Sequence, residues 1–148
     1  MWNKNKSLQL SIFSIRLFAV LLAAGVAGAP WIVRYYFGMP VGDLTRNLPF
    51  CIIIYCCAIP GFLMLLWMHR LLRNIQSEEV FTEVNVHLLR RLSWGCIAEA
   101  IIMFVAGFLY PSFFVISVAA AFIALIIRVI KNMMEQAGEL KKENDFTI

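Results

Sequence analysis

Four apolar runs, each close to the length of a bilayer crossing, constrain this chain more than any other feature. They extend over about Leu8–Val33, Leu48–Met68, Leu92–Tyr110 and Ser112–Ile130. At 1.5 Å per helical residue such runs match the ~30 Å of membrane hydrocarbon. None shows the ten-residue alternation of a barrel strand, so the backbone must satisfy its polar groups within helices. Of the 148 residues, 61% are hydrophobic and 15% charged. A soluble domain has roughly 45–50% and 25%, and a soluble fold of this length has too little interior for the excess. The expected fold is an all-α membrane protein: an antiparallel four-helix transmembrane bundle forming one domain over 1–148. Its helices should extend beyond the bilayer, with 131–148 as a helical tail.

The interruptions carry information. Lys4 and Lys6 precede an apolar stretch ending at Ala27-Gly28-Ala29, which superficially resembles a signal-peptide cleavage site. The stretch is longer than a signal core and Pro30 follows the proposed cut, so a retained helix is expected. Pro60, followed by Gly61, frees a carbonyl inside the second run. It reads as a packing kink, or more sharply as a hinge. Pro111 marks a tight hairpin between the third and fourth runs.

The basic residues orient the chain. Lys4, Lys6, Arg16, Arg70, Arg73, Arg90, Arg91, Arg128, Lys131, Lys141 and Lys142 lie on or nearer one side. Only Arg34 and Arg46 fall on the other, a split of 11 to 2. By the positive-inside tendency both termini are expected in the cytoplasm. Trp31, Tyr35, Tyr36 and Tyr110 then belong to the outer interface, and Trp67 and Trp94 to the inner one. This bias and anionic lipid account for the net charge of +4 without direct nucleic-acid binding.

Thr82 is an expected N-cap with Glu83 in the first turn, starting a third helix that runs to about Tyr110. The second helix continues outward through Leu71 and Leu72, so the two should project as an antiparallel stalk. On the fourth helix Ile126, Ile130, Met133, Ala137 and Leu140 follow a four-three-four-three spacing. This seam is expected to pack on the stalk; a surface for a cytosolic partner and a face lying on lipid are the alternatives. Lys131 and Glu135 form an i,i+4 pair on its polar side.

At these residues the chain resembles a known family. Val80-Phe81-Thr82-Glu83-Val84-Asn85, followed by Leu89-Arg90-Arg91-Leu92, looks like the central signature of an uncharacterised bacterial four-helix membrane family (domain of unknown function 2975). Glu139-Leu140-Lys141-Lys142-Glu143-Asn144-Asp145-Phe146-Thr147-Ile148 looks like its ending. Glu78-Glu79 depart from the glycine expected before Val80. The resemblance implies a multi-pass protein of the bacterial cytoplasmic membrane. It also implies a neighbouring gene for a small helix-turn-helix protein. It supplies no catalytic residues.

Arg16 and Glu99 are ions within apolar runs, each costing roughly 2.5–3.5 kcal/mol at mid-helix on insertion scales. Counted from Leu8 and Leu92, they lie about 12 Å and 10 Å deep. The matched depths predict an Arg16–Glu99 pair joining the first and third helices, with Arg128 as the competing cation. The pair would serve as a structural clasp, or as a titrating or ligand-binding site.

Cys51, Cys56, Cys57 and Cys96 all lie in apolar runs and read as buried small hydrophobes. His69 and His87 lack partners at metal spacing, and no phosphate-loop, GxSxG or HExxH motif occurs. No enzyme, metal or cofactor is expected. The leading expectation is a regulatory interaction protein of undetermined molecular activity. Its cytoplasmic face, formed by Arg70, Arg73, Arg90, Arg91, Met133, Ala137 and Leu140, would engage a soluble partner such as a small helix-turn-helix regulator. The alternative is a small transporter or immunity-type protein holding a lipophilic ligand between its helices, alone or as a homo-oligomer.

Overall fold

The computed structural model describes residues 4–38, 44–77 and 80–147. They form four helices: α1 (Lys4–Phe37), α2 (Leu44–Gln76), α3 (Glu83–Gly107) and α4 (Ser112–Phe146). The side chains of Lys4, Tyr36 and Arg46, and the whole of Glu78 and Glu79, lie outside the described residues. Three helices carry stretches long and apolar enough to cross a membrane: Lys6–Tyr35, Leu48–Gln76 and Ser112–Phe146. Arg90, Arg91 and Glu99 interrupt the apolar character of α3, which runs alongside both α2 and α4.

The helices pack in chain order, α1 on α2, α2 on α3 and α3 on α4, each antiparallel to the last. Among the described residues no other helix pair makes close backbone approach. The four-helix bundle is therefore open, a row whose ends do not meet. Its accessible surface is 10784 Å², against roughly 7,700 Å² for a compact soluble protein of this mass. Much of that surface is apolar: Phe13, Phe18, Val20, Val115, Val118 and Phe122 are all exposed. An apolar exterior of this extent requires hydrocarbon around it, so the fold is that of a multi-pass membrane protein.

Local sequence explains the helix ends. Gly38 takes a left-handed conformation, φ 59°, just past the end of α1, as a glycine after a helix C-terminus commonly does. Thr82 has extended backbone and its hydroxyl accepts from the Asn85 N–H at 3.4 Å. Thr82 is thus the expected N-cap, and Glu83 stands in the first turn beside it. Helix α3 ends at Gly107, three residues before the expected Tyr110. A Cβ on Gly107 would lie 2.6 Å from the Phe114 ring, so glycine is what lets the hairpin close through Pro111. Phe104, Phe108 and Phe114 then meet edge-on with centroids 5.4–5.5 Å apart. Pro30, Pro49 and Pro60 are all accommodated within continuous helices.

The best-packed region lies at the other end, where the last turns of α2 meet the first turns of α3. Leu71, Leu88, Leu89 and Leu92 form a buried cluster, with Met64, Trp67, Ile75, Ile127 and Met134 against it. The α2–α3 pairing is as expected, but the α4 seam is one residue away from where its spacing placed it. Ser117, Ala120, Ala124, Ile127, Lys131, Met134 and Gly138 form the inward line, and Met133 and Leu140 are 65% and 66% exposed. Periodicity alone could not choose between adjacent stripes, because α4 is apolar on nearly every side through its first half. The inward stripe is the one with small residues, which let the helices approach.

Candidate functional site

The expected Arg16–Glu99 pair does not form. Helix α2 stands between α1 and α3, and no carboxylate lies within 4.0 Å of the Arg16 side chain among the described residues. Arg16 instead borders a groove between α1 and α2 with Phe62, Leu65 and His69. The residue of α1 at the level of Glu99 is Leu22: both approach Gly61 of α2, a Cβ there lying 3.3 Å from Leu22 Cδ2 and 3.7 Å from Glu99 Oε1. Leu22 is six residues, about 9 Å, further along α1 than Arg16. Matching depths from the first apolar residue fails because packing, and not the start of the apolar run, sets how far each helix slides past its neighbour.

Glu99 is half-buried against α2, on the side of Cys57 and Gly61. Gly61, next to Pro60, is the α2 residue against which the carboxyl lies. Arg128, the competing cation, is not its partner either. Ser93 faces Ala124 across the α3–α4 interface. Arg128 therefore lies about one turn to one side of that contact, and Glu99 nearly two turns to the other. The Arg128 guanidinium instead sits over the Trp94 ring, 5.8 Å from its centroid, a cation–π arrangement.

The four arginines of the expected docking face are all exposed. Arg90 borders the α3–α4 groove, in a recess with Arg128 and Lys131. Its neighbour Arg91 leaves the helix about 100° away, as 3.6 residues per turn dictates. The α4 extension is tied to the start of α3: Lys142 Nζ donates to Glu83 Oε1 at 2.7 Å, and Gly138 lies against Phe81. That bond holds the Glu83 carboxyl below the usual range and raises the Lys142 ammonium above its own. The i,i+4 pair of Lys131 and Glu135 is present at 2.7 Å, and the Lys131 hydrogen bond lowers Glu135 in turn.

Three buried polar residues were passed over in the sequence. Asn85 is fully buried; its amide donates to the Val80 carbonyl at 2.9 Å and its oxygen accepts from Asn74 at 2.8 Å. Ser93 and Ser117 donate to the Ala124 and Ala100 carbonyls at 3.0 and 2.7 Å. The available signal was an uncharged hydrogen-bonding side chain in or beside an apolar run, a common device of helix contact in membranes. The four cysteines are free: Cys56 is exposed, and Cys51, Cys57 and Cys96 are half-buried rather than buried. Among the described residues no three His, Cys, Asp or Glu side chains converge as a metal site.

These features define an all-helical, multi-pass membrane protein with a polar, basic end. The family model described as "Protein of unknown function (DUF2975)" matches residues 43–148, and the chain belongs to that family. No curated protein and no solved structure matches it.

Proposed function

We propose that the chain threads the bacterial cytoplasmic membrane four times, α3 included, with both termini in the cytoplasm. There it acts as a non-enzymatic interaction protein with a regulatory role. Arg70, Arg73 and Arg91, with Met133, Ala137 and Leu140, contribute the docking surface. The partner is a soluble protein offering carboxylates and apolar side chains, and the family resemblance favours a small helix-turn-helix regulator.

The observation that carries this reading is the α4 extension. It stays helical to Phe146, fastened to α3 through Lys142 and Glu83, while leaving Met133 and Leu140 exposed. Beyond the hydrocarbon such side chains have no lipid to cover them, and an apolar helix face framed by charges suits a protein partner. The test is recovery of a helix-turn-helix protein encoded beside the gene by the full-length chain in detergent. Recovery should be lost for Met133→Glu with Leu140→Glu, and for truncation before Met134. Equal recovery by the variants overturns the reading. Cysteine labelling should place positions 2 and 148 on the same face of the membrane; opposite faces overturn the threading.

A second reading rests on Glu99, an acid half-buried among α2, α3 and Leu22 of α1. Intramembrane carboxyls often mark binding sites, here for a lipophilic ligand to be exported or neutralised. Unchanged partner recovery, together with loss of resistance in Glu99→Gln, would favour it.

A further inference from the structure

The α3–α4 interface has an open side that the docking surface does not use. An apolar groove of 370 Å³ runs along it between Ile97, Ile101 and Phe104 of α3 and Ala121 and Leu125 of α4. At its basic end it shares Ser93 and Arg128 with a second recess of 200 Å³, lined also by Arg90, Trp94, Lys131 and Asn132. The two recesses adjoin at these residues, and their chemistry changes where Arg128 begins.

The groove wall offers hydrocarbon. Its two hydroxyls, Ser93 and Ser117, are turned to the Ala124 and Ala100 carbonyls, while the short side chains of Ala100, Ala121 and Ala124 leave the groove open. From Ser93 to Phe104 is eleven residues, about 16 Å along the helix, close to the ~15 Å of one leaflet. The second recess offers positive charge. Of its three cations, Lys131 is paired with Glu135 at 2.7 Å, and Glu135 also feels Arg90 and His87. Arg128 has no carboxylate within 4.0 Å among the described residues. Trp94, beneath the guanidinium, has the amphipathic ring favoured at the hydrocarbon boundary.

We propose that this groove binds one anionic phospholipid of the surrounding leaflet, an acyl chain lying between α3 and α4 and the phosphate resting on Arg128 and Lys131. The arrangement combines the basic pocket between helices that anionic headgroups favour with a channel shaped for the chain. The inference rests on α3 being embedded in the bilayer, as proposed above, but not on which side the termini occupy.

The test is lipid retention by the full-length protein. The chain is reconstituted in phosphatidylglycerol or phosphatidylcholine of matched acyl length, extracted, and examined for bound lipid by native mass spectrometry. Phosphatidylglycerol should be retained about tenfold over phosphatidylcholine, because both carry the phosphate but the choline ammonium of the latter is repelled by the cations of the recess. Arg128→Gln should abolish the preference and Arg128→Lys should keep much of it, which separates loss of charge from loss of fold. Ala121→Trp should lower retention by filling the groove with the cations intact, whereas Lys141→Gln should change nothing. Equal retention of the two lipids, or indifference to both Arg128→Gln and Ala121→Trp, overturns the proposal. Displacement by inorganic phosphate with no effect of Ala121→Trp also overturns it, leaving only an anion site. Selective retention despite labels on opposite membrane faces would sink the four-pass reading and leave this one standing.

Discussion

Ser117 on α4 donates its hydroxyl to the Ala100 carbonyl on α3 at 2.7 Å, and both residues are buried. About two turns away, Ser93 on α3 returns the contact to Ala124. In hydrocarbon there is no hydrophobic drive between helices, so small residues and such interhelical bonds hold the pair. Ser117→Ala should cost about 0.6 kcal/mol, and the double change with Ser93→Ala about twice that. Unfolding in mixed micelles measures it; a Ser117→Ala variant as stable as the parent would show the bond contributes nothing.

Asn85 joins the α2–α3 connection to itself. Replacing it with Ala removes its bonds with the Val80 carbonyl and the Asn74 amide and leaves both groups without it. A buried polar group left unsatisfied costs about 1–3 kcal/mol. Asn85→Ala should therefore destabilise the stalk by about 2–4 kcal/mol, and amide exchange should quicken around Leu71, Leu88 and Leu89. Asn74→Ala should cost less, because Asn74 is only half-buried.

Two glycines on α3 should respond differently to a methyl group. At Gly107 the new Cβ would meet the rigid Phe114 ring at 2.6–2.8 Å, and overpacking of this kind costs about 1–3 kcal/mol. At Gly95 it would meet Met64 Cγ at 2.6 Å and Sδ at 2.9 Å. Methionine is flexible enough to repack, and alanine regains about 1 kcal/mol of helix propensity. Gly107→Ala should thus be clearly the more destabilising of the two by thermal unfolding in detergent.

The Glu83–Lys142 tether should depend on pH at both extremes. Glu83 is held lower in the folded chain, so its contribution is present above the unfolded carboxylate value of ~4.3 and lost as pH falls through the folded one. Lys142 is raised, so its contribution is complete below ~10.4 and lost as pH rises through the folded value. Both groups are exposed, and salt should weaken the pair. A spin label at position 146 should become more mobile as pH falls below the ordinary carboxylate range, at high salt, and in Lys142→Gln at neutral pH. Equal mobility in the parent and Lys142→Gln would remove the tether.

Arg16 and Glu99 face different neighbours, so their effects should add. The coupling in a double-mutant cycle of Arg16→Gln and Glu99→Gln should lie within about 0.5 kcal/mol of zero. A larger favourable coupling would restore the pairing inferred from their depths.

The cap at Thr82, the Lys131–Glu135 pair, the Pro111 hairpin and the antiparallel pairing of α2 with α3 were all legible in the sequence. Each depends on residues near one another along the chain or on a long apolar stretch. The partners of Glu99 and Arg128 were not legible, because they depend on how far each helix slides past its neighbour. The inward line of α4 was missed by a single position for a related reason. Ile126 and Ile127 are equally apolar, and only the small residues Ala120, Ala124 and Gly138 on one stripe distinguish it.

The amino-acid sequence by itself determined that this protein is helical and inserted in lipid. A run of about twenty apolar residues has no other way to satisfy its backbone in hydrocarbon. Only the tertiary structure decided which helices touch, and hence that α2 separates Arg16 from Glu99 while α3 and α4 bring Trp94 beneath Arg128. In water a polar face tells each helix which side to bury. In lipid nearly every face is apolar, so the choice falls to close packing and a few hydrogen bonds whose positions the pattern of hydrophobicity does not record.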